Sequence, residues 1–122
     1  YLGPLPDWLG ALSQRLYTEK IFDDQPDQVI VNEYLPGQGI APHIDLGSCF
    51  AGVICSLSLA SSCVMDFTYA GLTYSLALQP RSLLVMSGEA RYKWKHGIKP
   101  RKSDDKIARN RRVSLTFRKV VI

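Results

Sequence analysis

Short runs rich in apolar side chains recur along most of this chain. In one of them Ser56 and Ser58 alternate with Cys55, Leu57 and Leu59. A period of two is typical of a half-buried strand, and residues that favour turns separate the runs. We predict strands at residues 29–34, 53–59, 64–69, 72–78, 82–86, 92–96 and 113–121.

One amphipathic helix is predicted over residues 7–20, because Leu9, Leu12 and Leu16 share a helical face behind a candidate N-cap at Asp7. One helix followed by about seven short strands favours a mainly β fold, an antiparallel sandwich or barrel of the jelly-roll kind. The 122 residues allow a single domain, spanning 1–122.

Composition excludes several other classes of protein. Apolar residues make up 46% of the chain and charged residues 21%, which excludes a disordered or collagen-like chain. No apolar run approaches the roughly 18 residues of a membrane span, and no signal-peptide pattern opens the sequence. Three cysteines, Cys49, Cys55 and Cys63, are an odd number, which argues for a reducing compartment and for ordinary core or loop thiols. We expect a monomer in the cytoplasm or, in a eukaryote, the nucleus, neither secreted nor bound to a membrane.

Charge is divided sharply along the chain. Residues 1–89 carry three basic and nine acidic side chains, whereas residues 90–122 carry twelve basic and two acidic ones. A phosphate-binding face has this character, because each neutralised phosphate releases counterions. Tyr92 and Trp94 lie among the cations, and bases stack on aromatic rings. The alternative is a solvated loop together with a few arginines that have local partners.

His43 and Asp45 stand two positions apart at the edge of a predicted strand, so their side chains face the same side. The other histidine, His96, begins a second junction between strand and loop. Two imidazoles and one carboxylate on one side of a metal leave its other positions open, as in the facial triad of non-haem Fe(II) oxygenases. The pair alone is weak evidence, because this spacing often occurs by chance.

The last predicted strand carries a second unusual pattern. Its alternation places four polar side chains on one face: Arg112, Ser114, Thr116 and Arg118. Burying that face is costly unless it meets anions, and two guanidinium groups at most about 20 Å apart can hold both ends of a small dicarboxylate. Asn32 and Tyr34 share a face on an early strand and offer further donors. The alternative is an exposed edge strand.

Five motifs follow one another in the order and spacing of a known family. They are Asn32-x-Tyr34-x-Pro36-Gly37, His43-x-Asp45, Ser87-Gly88-Glu89-Ala90-Arg91, His96-Gly97-Ile98 and Arg112-x-Ser114-x-Thr116-Phe117-Arg118. Over residues 29–120 the chain resembles the AlkB family of Fe(II)- and 2-oxoglutarate-dependent dioxygenases, which act on nucleic acids. The resemblance implies a double-stranded β-helix, a cupin-like jelly roll.

The resemblance also implies a role for each matching residue. The implied iron ligands are His43, Asp45 and His96. The residues implied to bind the co-substrate 2-oxoglutarate are Asn32, Tyr34, Arg112, Ser114 and Arg118. Dioxygen is the other co-substrate, and decarboxylation of 2-oxoglutarate to succinate and CO2 accompanies hydroxylation of an alkyl carbon. When that carbon is attached to a base nitrogen, the product collapses and releases formaldehyde from a methyl group.

Enzymes of this kind take their target base from a single strand or flip it out of a stack. The residues expected to hold the nucleic acid are Arg91, Trp94, Lys99, Arg101 and Lys102. The chain departs from the repair members of the family at Gly47, where they have an acidic residue that helps to read the base. It also has Ser114 where they usually have Asn. Only 31 residues precede Asn32, so we expect the nucleotide-recognition lid to be short or missing.

Segments such as 56–59 and 82–86 are most similar to the branch that hydroxylates modified wobble uridines in tRNA. There the oxygenase is flanked by an RNA-binding and a methyltransferase domain, for which 122 residues leave no room. We therefore expect a stand-alone enzyme that demethylates N-alkylated bases in DNA or RNA, with tRNA hydroxylation as the alternative. Two further alternatives are a non-catalytic nucleic-acid-binding domain and a protein hydroxylase. The three ligand residues argue against the first and the basic segment against the second.

Overall fold

The computed structural model describes residues 5–47 and 49–121. Its elements, in chain order, are α1 (Asp7–Thr18), β1 (Gln28–Tyr34), β2 (Ile40–His43), β3 (Phe50–Leu59), β4 (Cys63–Tyr69), β5 (Leu72–Leu78), β6 (Leu83–Met86), α2 (Gly88–Tyr92), β7 (Lys95–Ile98), β8 (Ser103–Asp104), β9 (Ile107–Ala108) and β10 (Arg112–Val120). One antiparallel sheet has the strand order β1-β10-β3-β6 and a second has the order β2-β7-β4-β5. The predicted mainly β jelly roll is confirmed.

Most of the predicted elements are present, and the differences lie where tertiary contacts determine the secondary structure. The hairpin of β4 and β5 turns at Ala70 and Gly71, between the two strands predicted there. The strand predicted at 92–96 is wrong in place: α2 ends at Tyr92 and β7 covers Lys95–Ile98. Helix α1 begins one residue after its N-cap Pro6, so Asp7 lies inside the first turn and is not the cap.

Helix α1 packs on the outer face of the first sheet. Its buried Leu9 and Leu16 join a cluster that contains Cys55, Leu115 and Phe117. Burial raises the pKa of the Cys55 thiol to about 12, so this side chain is a packing group, as predicted. None of the helices in the described ranges has the length and apolar character needed to cross a lipid bilayer.

Strand β10 divides its side chains between two environments. Leu115 and Phe117 face α1 and are 1% exposed, as the alternating pattern predicted. The polar face points the other way, into the space between the two sheets. The register with β1 sets Asn32 opposite Ser114 and Tyr34 opposite Arg112, so that both strands contribute polar groups to the same interior.

Strands β2 and β7 approach each other more closely than side chains would allow. A Cβ atom on Gly39 would lie 2.3 Å from the Ile98 carbonyl oxygen, and one on Gly97 would lie 2.9 Å from the Ile40 carbonyl oxygen. The pairing sets His43 directly opposite His96. Two glycines therefore permit the contact that brings the two histidines together.

Candidate functional site

His43, Asp45 and His96 converge at the end of β2 and the start of β7. The distance from Asp45 Oδ1 to His43 Nε2 is 3.2 Å, and the distance to His96 Nε2 is 3.8 Å. One ligand atom from each side chain lies within 4.8 Å of the others. Register and strand ends thus gather three residues that are far apart in the sequence.

The arrangement of protons fits a bound cation. His43 Nδ1 lies 3.0 Å from the Ala41 carbonyl oxygen, which can only accept a hydrogen bond, so Nδ1 carries the proton. In the neutral ring, the lone pair of His43 Nε2 then faces the carboxylate oxygen of Asp45. Two acceptors at 3.2 Å repel each other unless a cation lies between them. Imidazole nitrogen and carboxylate oxygen are ligands that suit a divalent iron.

His96 is the more buried of the two imidazoles. Burial lowers its pKa below the usual value, and the neighbouring His43 and Arg91 act in the same direction, while Asp45 opposes them. The shift favours the neutral ring, which has a free lone pair on one nitrogen. A neutral imidazole is the form that ligates a metal.

A cavity of about 270 Å³ opens beside this triad, between the two sheets. Eight residues that the sequence assigned to iron or 2-oxoglutarate line it: Asn32, Tyr34, His43, Asp45, His96, Arg112, Ser114 and Arg118. Ile54, Met65, Leu84 and Met86 supply apolar walls. The cavity is therefore polar at the triad and along β1 and β10, and apolar elsewhere.

Two guanidinium groups face this cavity from β10. Arg112 is 3% exposed, and its Nη2 donates a hydrogen bond of 2.9 Å to Ser58 Oγ. Arg118 lies over the ring of Phe50, 4.1 Å from its centroid, and its Nη1 donates to Asp45 Oδ2 at 3.1 Å. The Nε of each arginine is buried and has no acceptor among the described residues. Buried donors without acceptors fit a ligand that brings carboxylates, as 2-oxoglutarate does.

Asp45 is held through one of its carboxylate oxygens. Oδ2 accepts the hydrogen bond from Arg118, and Oδ1 points at the two imidazoles. The carboxylate is therefore fixed in orientation, with one oxygen directed to the triad centre. Hydrogen bonds that orient a metal ligand in this way tune metal affinity.

Arg91, expected to hold the substrate, has a different place. It is 2% exposed, and its guanidinium donates to the carbonyl oxygens of Asp45 at 2.7 Å and Leu46 at 3.2 Å. Longer bonds reach the carbonyls of Phe50 and Ala51. Its donors are thus used to hold the loop that follows Asp45, and the expectation of a substrate contact at Arg91 is corrected.

The other expected substrate residues lie on the surface. Lys99 Nζ is 3.7 Å from Asp66 Oδ2, and Arg101 Nε donates to Asp104 Oδ1 at 2.8 Å. Lys102 is exposed. Trp94 is half-buried on the same side of the second sheet as His96. Arg101 is therefore engaged within its own hairpin, whereas Lys102 and Trp94 face solvent in part.

Sequence reasoning missed several parts of the site. Ser58 holds Arg112, and its alternation with Cys55 and Leu57 placed it on the correct face without revealing its partner. Phe50 lies under Arg118, and no local pattern pointed to it. Both contacts join strands that are distant in the sequence.

Comparison with known proteins supports this interpretation. The family model for the 2OG-Fe(II) oxygenase superfamily matches residues 2–118. Protein L905 of Acanthamoeba polyphaga mimivirus is 43% identical over 125 residues, which are 96% of this chain and 59% of that protein. The Mus musculus tRNA (carboxymethyluridine(34)-5-O)-methyltransferase ALKBH8 is 42% identical, over 97% of this chain and 21% of its own length. The RNA demethylase ALKBH9B of Arabidopsis thaliana is 30% identical, over 98% of this chain and 24% of its own. The chain thus spans less than two thirds of each of these relatives.

Solved structures show the same fold. The structure of OsALKBH1 has a TM-score of 0.69 with 20% identity, over 94% of this chain and 66% of that one. A prolyl-4-hydroxylase from Pseudomonas putida has a TM-score of 0.61 with 20% identity, over the same shares. At this identity the two structures establish the jelly-roll architecture alone.

Proposed function

The chain belongs to the 2OG-Fe(II) oxygenase superfamily and, within it, to the AlkB family of dioxygenases, and from this premise we propose that it hydroxylates a carbon substituent on a modified uridine of tRNA. In the reaction, dioxygen supplies one oxygen atom to a C–H bond, which becomes C–OH. The second oxygen atom enters 2-oxoglutarate, which becomes succinate and CO2. Residues 1–122 form one dioxygenase domain in this proposal, and the expected monomer and its cytoplasmic or nuclear location stay predictions.

One observation carries the proposal of this chemistry. Three ligand groups and two buried guanidinium groups line a single cavity of about 270 Å³. In the proposal, His43, Asp45 and His96 hold Fe(II), which activates dioxygen when bound. Arg112 and Arg118, helped by Asn32, Tyr34 and Ser114, hold the two carboxylates of 2-oxoglutarate.

The residues around the metal do the work of positioning. Arg118 reaches Asp45 and also has a free Nε donor, so one side chain orients a metal ligand and receives a carboxylate. Ile54, Met65 and Met86 give the cavity an apolar wall beside the reacting groups. His43 is the exposed ligand, with 45% of its side chain accessible, so the substrate approaches from its side.

Two observations favour uridine as the substrate. The mouse relative, 42% identical, is named for its action on carboxymethyluridine in tRNA. At Gly47 this chain has no acidic side chain to read a base, and Asp45, the acidic residue among those lining the described cavity, is assigned to the metal. Methylation at a ring nitrogen of adenine or cytosine gives a cation that an acidic residue would stabilise, whereas 5-carboxymethyluridine carries a carboxylate that an acidic residue would repel. A demethylase was expected because 122 residues leave no room for the flanking domains of the tRNA branch. Length does not favour either activity, because the chain spans only part of its relatives.

Oxidative demethylation of N-alkylated bases is the second candidate. The Arabidopsis RNA demethylase, 30% identical over 98% of this chain, favours it. The same cavity would perform it, because the two reactions differ only in the atom to which the hydroxylated carbon is attached. A carbon on a ring nitrogen leaves as formaldehyde, whereas a carbon on C5 of uridine keeps its hydroxyl group.

A non-catalytic role is not supported, because the chain belongs to a family of oxygenases and three ligand groups converge in the structure. A protein hydroxylase shares the fold, as the bacterial prolyl hydroxylase shows. It would have no use for the excess of basic residues over 90–122.

The test offers two substrates side by side, with Fe(II) and 2-oxoglutarate in each case. One is an anticodon stem-loop that carries 5-carboxymethyluridine, and the other is an RNA strand that carries N-methylated adenine and cytosine. We expect succinate together with the gain of one oxygen atom on the uridine, measured by mass spectrometry. Formaldehyde from the methylated strand, with an unchanged stem-loop, would establish the second candidate. Succinate from neither substrate would contradict both.

A further inference from the structure

We propose that Tyr69, Tyr74 and Trp94 form a stacking platform for the unpaired RNA bases next to the target nucleotide. The proposal deepens the function proposed above and rests on it. The platform lies on the hairpin of β4 and β5 and on the residue that precedes β7. It is outside the cavity that would hold iron and 2-oxoglutarate.

The strand register connects this platform with the metal centre. Phe67 pairs with His96 on one side and with Tyr74 on the other, so three adjacent strands are aligned at the level of the metal ligand. Side chains two positions apart on a strand share a face, so Tyr69 lies on the same face as Phe67. Trp94 precedes β7, and its ring contacts with Tyr69 and Tyr74 place it on this face. The aromatic groups and the metal ligand therefore share one surface.

Ring contacts join the three aromatic residues to one another. The ring of Trp94 lies 5.4 Å from that of Tyr69 and 5.5 Å from that of Tyr74. These separations are within the range for aromatic pairs, so the three rings form one cluster. On the same sheet, the ring centroids of Phe67 and His96 are 6.4 Å apart.

The cluster is unusually open to solvent. Tyr74 is 64% exposed and Tyr69 is 45% exposed, and the neighbouring Leu72 is 54% exposed on the edge strand β5. A contiguous exposed apolar patch commonly marks a binding surface. Planar faces in a row suit planar ligands, and every base has a π face that stacks on such a ring.

Charge favours a nucleic acid as the occupant. Lys93 and Lys95 are exposed and stand on either side of Trp94, and Lys93 Nζ also lies 3.6 Å from Glu89 Oε1. Aromatic rings interleaved with cations are the arrangement that binds single strands, because phosphates meet the cations while bases stack. A protein partner or a lipid surface could also bind to the exposed apolar area. Lipid binding, however, does not depend on an ordered set of ring faces. We therefore commit to single-stranded RNA that continues from the target base.

The two tryptophans allow a direct test. Trp8 lies on α1, on the far side of the first sheet, and Trp94 lies in the platform. In the Trp8→Phe chain all indole fluorescence comes from Trp94, and in the Trp94→Phe chain all of it comes from Trp8. We expect a short oligo(U) RNA to quench the first protein in a saturable way and to leave the second unchanged. Quenching of Trp8 alone, or of neither indole, would overturn the platform.

Substitution of Tyr74 then measures its share. Tyr74→Leu keeps an apolar side chain on β5 but removes the aromatic face, and we expect Kd for oligo(U) to rise on the order of tenfold. Tyr17→Leu is the matched control, because Tyr17 is 45% exposed on α1. Equal Kd values for Tyr74→Leu and Tyr17→Leu would contradict the proposal. Quenching of Trp94 by phosphatidylserine vesicles and not by RNA would assign the surface to a membrane instead.

The outcome is separable from that of the proposed function. The quenching experiment uses unmodified RNA and requires no turnover. Saturable quenching without oxidation of the modified stem-loop would leave the platform standing and remove the proposed substrate. Oxidation of the stem-loop without quenching of Trp94 would support the proposed substrate and contradict the platform.

Discussion

Two basic regions of this molecule use their arginines in opposite ways. On β10, Arg112 and Arg118 point into the cavity, and each has a buried donor without an acceptor among the described residues. In the hairpin of β8 and β9, Arg101 and Arg109 both bind Asp104, which is 7% exposed. Arg109 adds a bond to the Lys99 carbonyl oxygen at 2.8 Å. The arginines of β10 keep donors available for a ligand, whereas those of the hairpin donate to groups of the protein itself.

The contrast shows that charge counts do not identify a binding surface. The excess of basic residues over 90–122 suggested one phosphate-binding face, yet Arg91, Arg109 and Arg111 are engaged with groups of the protein itself. A buried donor without an acceptor is a more specific sign of a ligand than an excess of charge. It follows that substitutions in the cavity should affect chemistry, whereas those in the hairpin should affect stability.

The largest effect is expected from His96→Ala. Loss of one of three ligands should abolish Fe(II)-dependent turnover of 2-oxoglutarate and leave the fold largely intact. Succinate production and thermal unfolding measure the two consequences. Gln14→Ala, at an exposed position of α1, is the control and should retain turnover. Undiminished succinate from His96→Ala would refute the assignment of His96 as a ligand.

The next largest effect is expected from Arg109→Ala in the hairpin. Arg109 donates to both oxygens of the buried Asp104, and its loss leaves that carboxylate with Arg101 as its remaining cationic partner. The free energy of unfolding should therefore fall by about 3 kcal/mol. Chemical denaturation measures this change. The ion pair of Arg111 with Glu33 is exposed, so Arg111→Ala should cost roughly 0–1 kcal/mol. Equal free energies of unfolding for the two variants would show that the buried pair stabilises the fold no more than the exposed pair does.

A smaller free-energy change, confined to ligand binding, is expected from Arg118→Ala. Loss of a charged hydrogen bond, worth about 1.5–3 kcal/mol, should weaken 2-oxoglutarate binding by roughly 10- to 150-fold. Isothermal titration with the metal-loaded protein measures the affinity. Lys119→Ala, which removes a cation bound to Asp27 on the other side of β10, should leave the affinity unchanged. An affinity for Arg118→Ala equal to that of the wild type would place the co-substrate elsewhere.

The smallest effect is a pH dependence that belongs to the hairpin alone. The hydrogen bond from Arg109 holds the pKa of Asp104 below its ordinary value of 3.8. Because the folded pKa is the lower one, the stabilisation is complete above the ordinary value and is lost as pH falls through the folded pKa. Urea unfolding at a series of pH values from neutral to acid should therefore show a steeper acid loss for the wild type than for Asp104→Asn. Parallel curves would contradict the assignment.

Local patterns in the sequence were sufficient for much of the fold. Alternation along β10 identified both of its faces, and the dipeptide Ala70-Gly71 identified the tip of a hairpin. These features depend on neighbours in sequence. Helix α2 and the hairpin of β8 and β9 were not predicted, because they are short and depend on distant contacts. Asp104 accepts hydrogen bonds from Val64 and Arg109, and Arg91 holds the loop after Asp45.

The site divides in the same way. Spacing and resemblance identified eight residues that line one cavity, since each belongs to a motif that can be read along the strand. Ser58, Phe50 and the part played by Arg91 could not be predicted, because each acts through a contact across strands. Groups that would meet a ligand are recognisable by type, whereas groups that support them are recognisable only by position.

The close backbone contact at Gly97 has a consequence for folding during synthesis. His43 and His96 come from strands of four residues each, and these strands meet only where no side chain intervenes. A growing chain on the ribosome cannot assemble the triad until the segment through Ile98 has left the exit tunnel. If the triad binds iron as proposed, the ion can be held only after that point, and a product truncated before His96 would lack one of its three ligands.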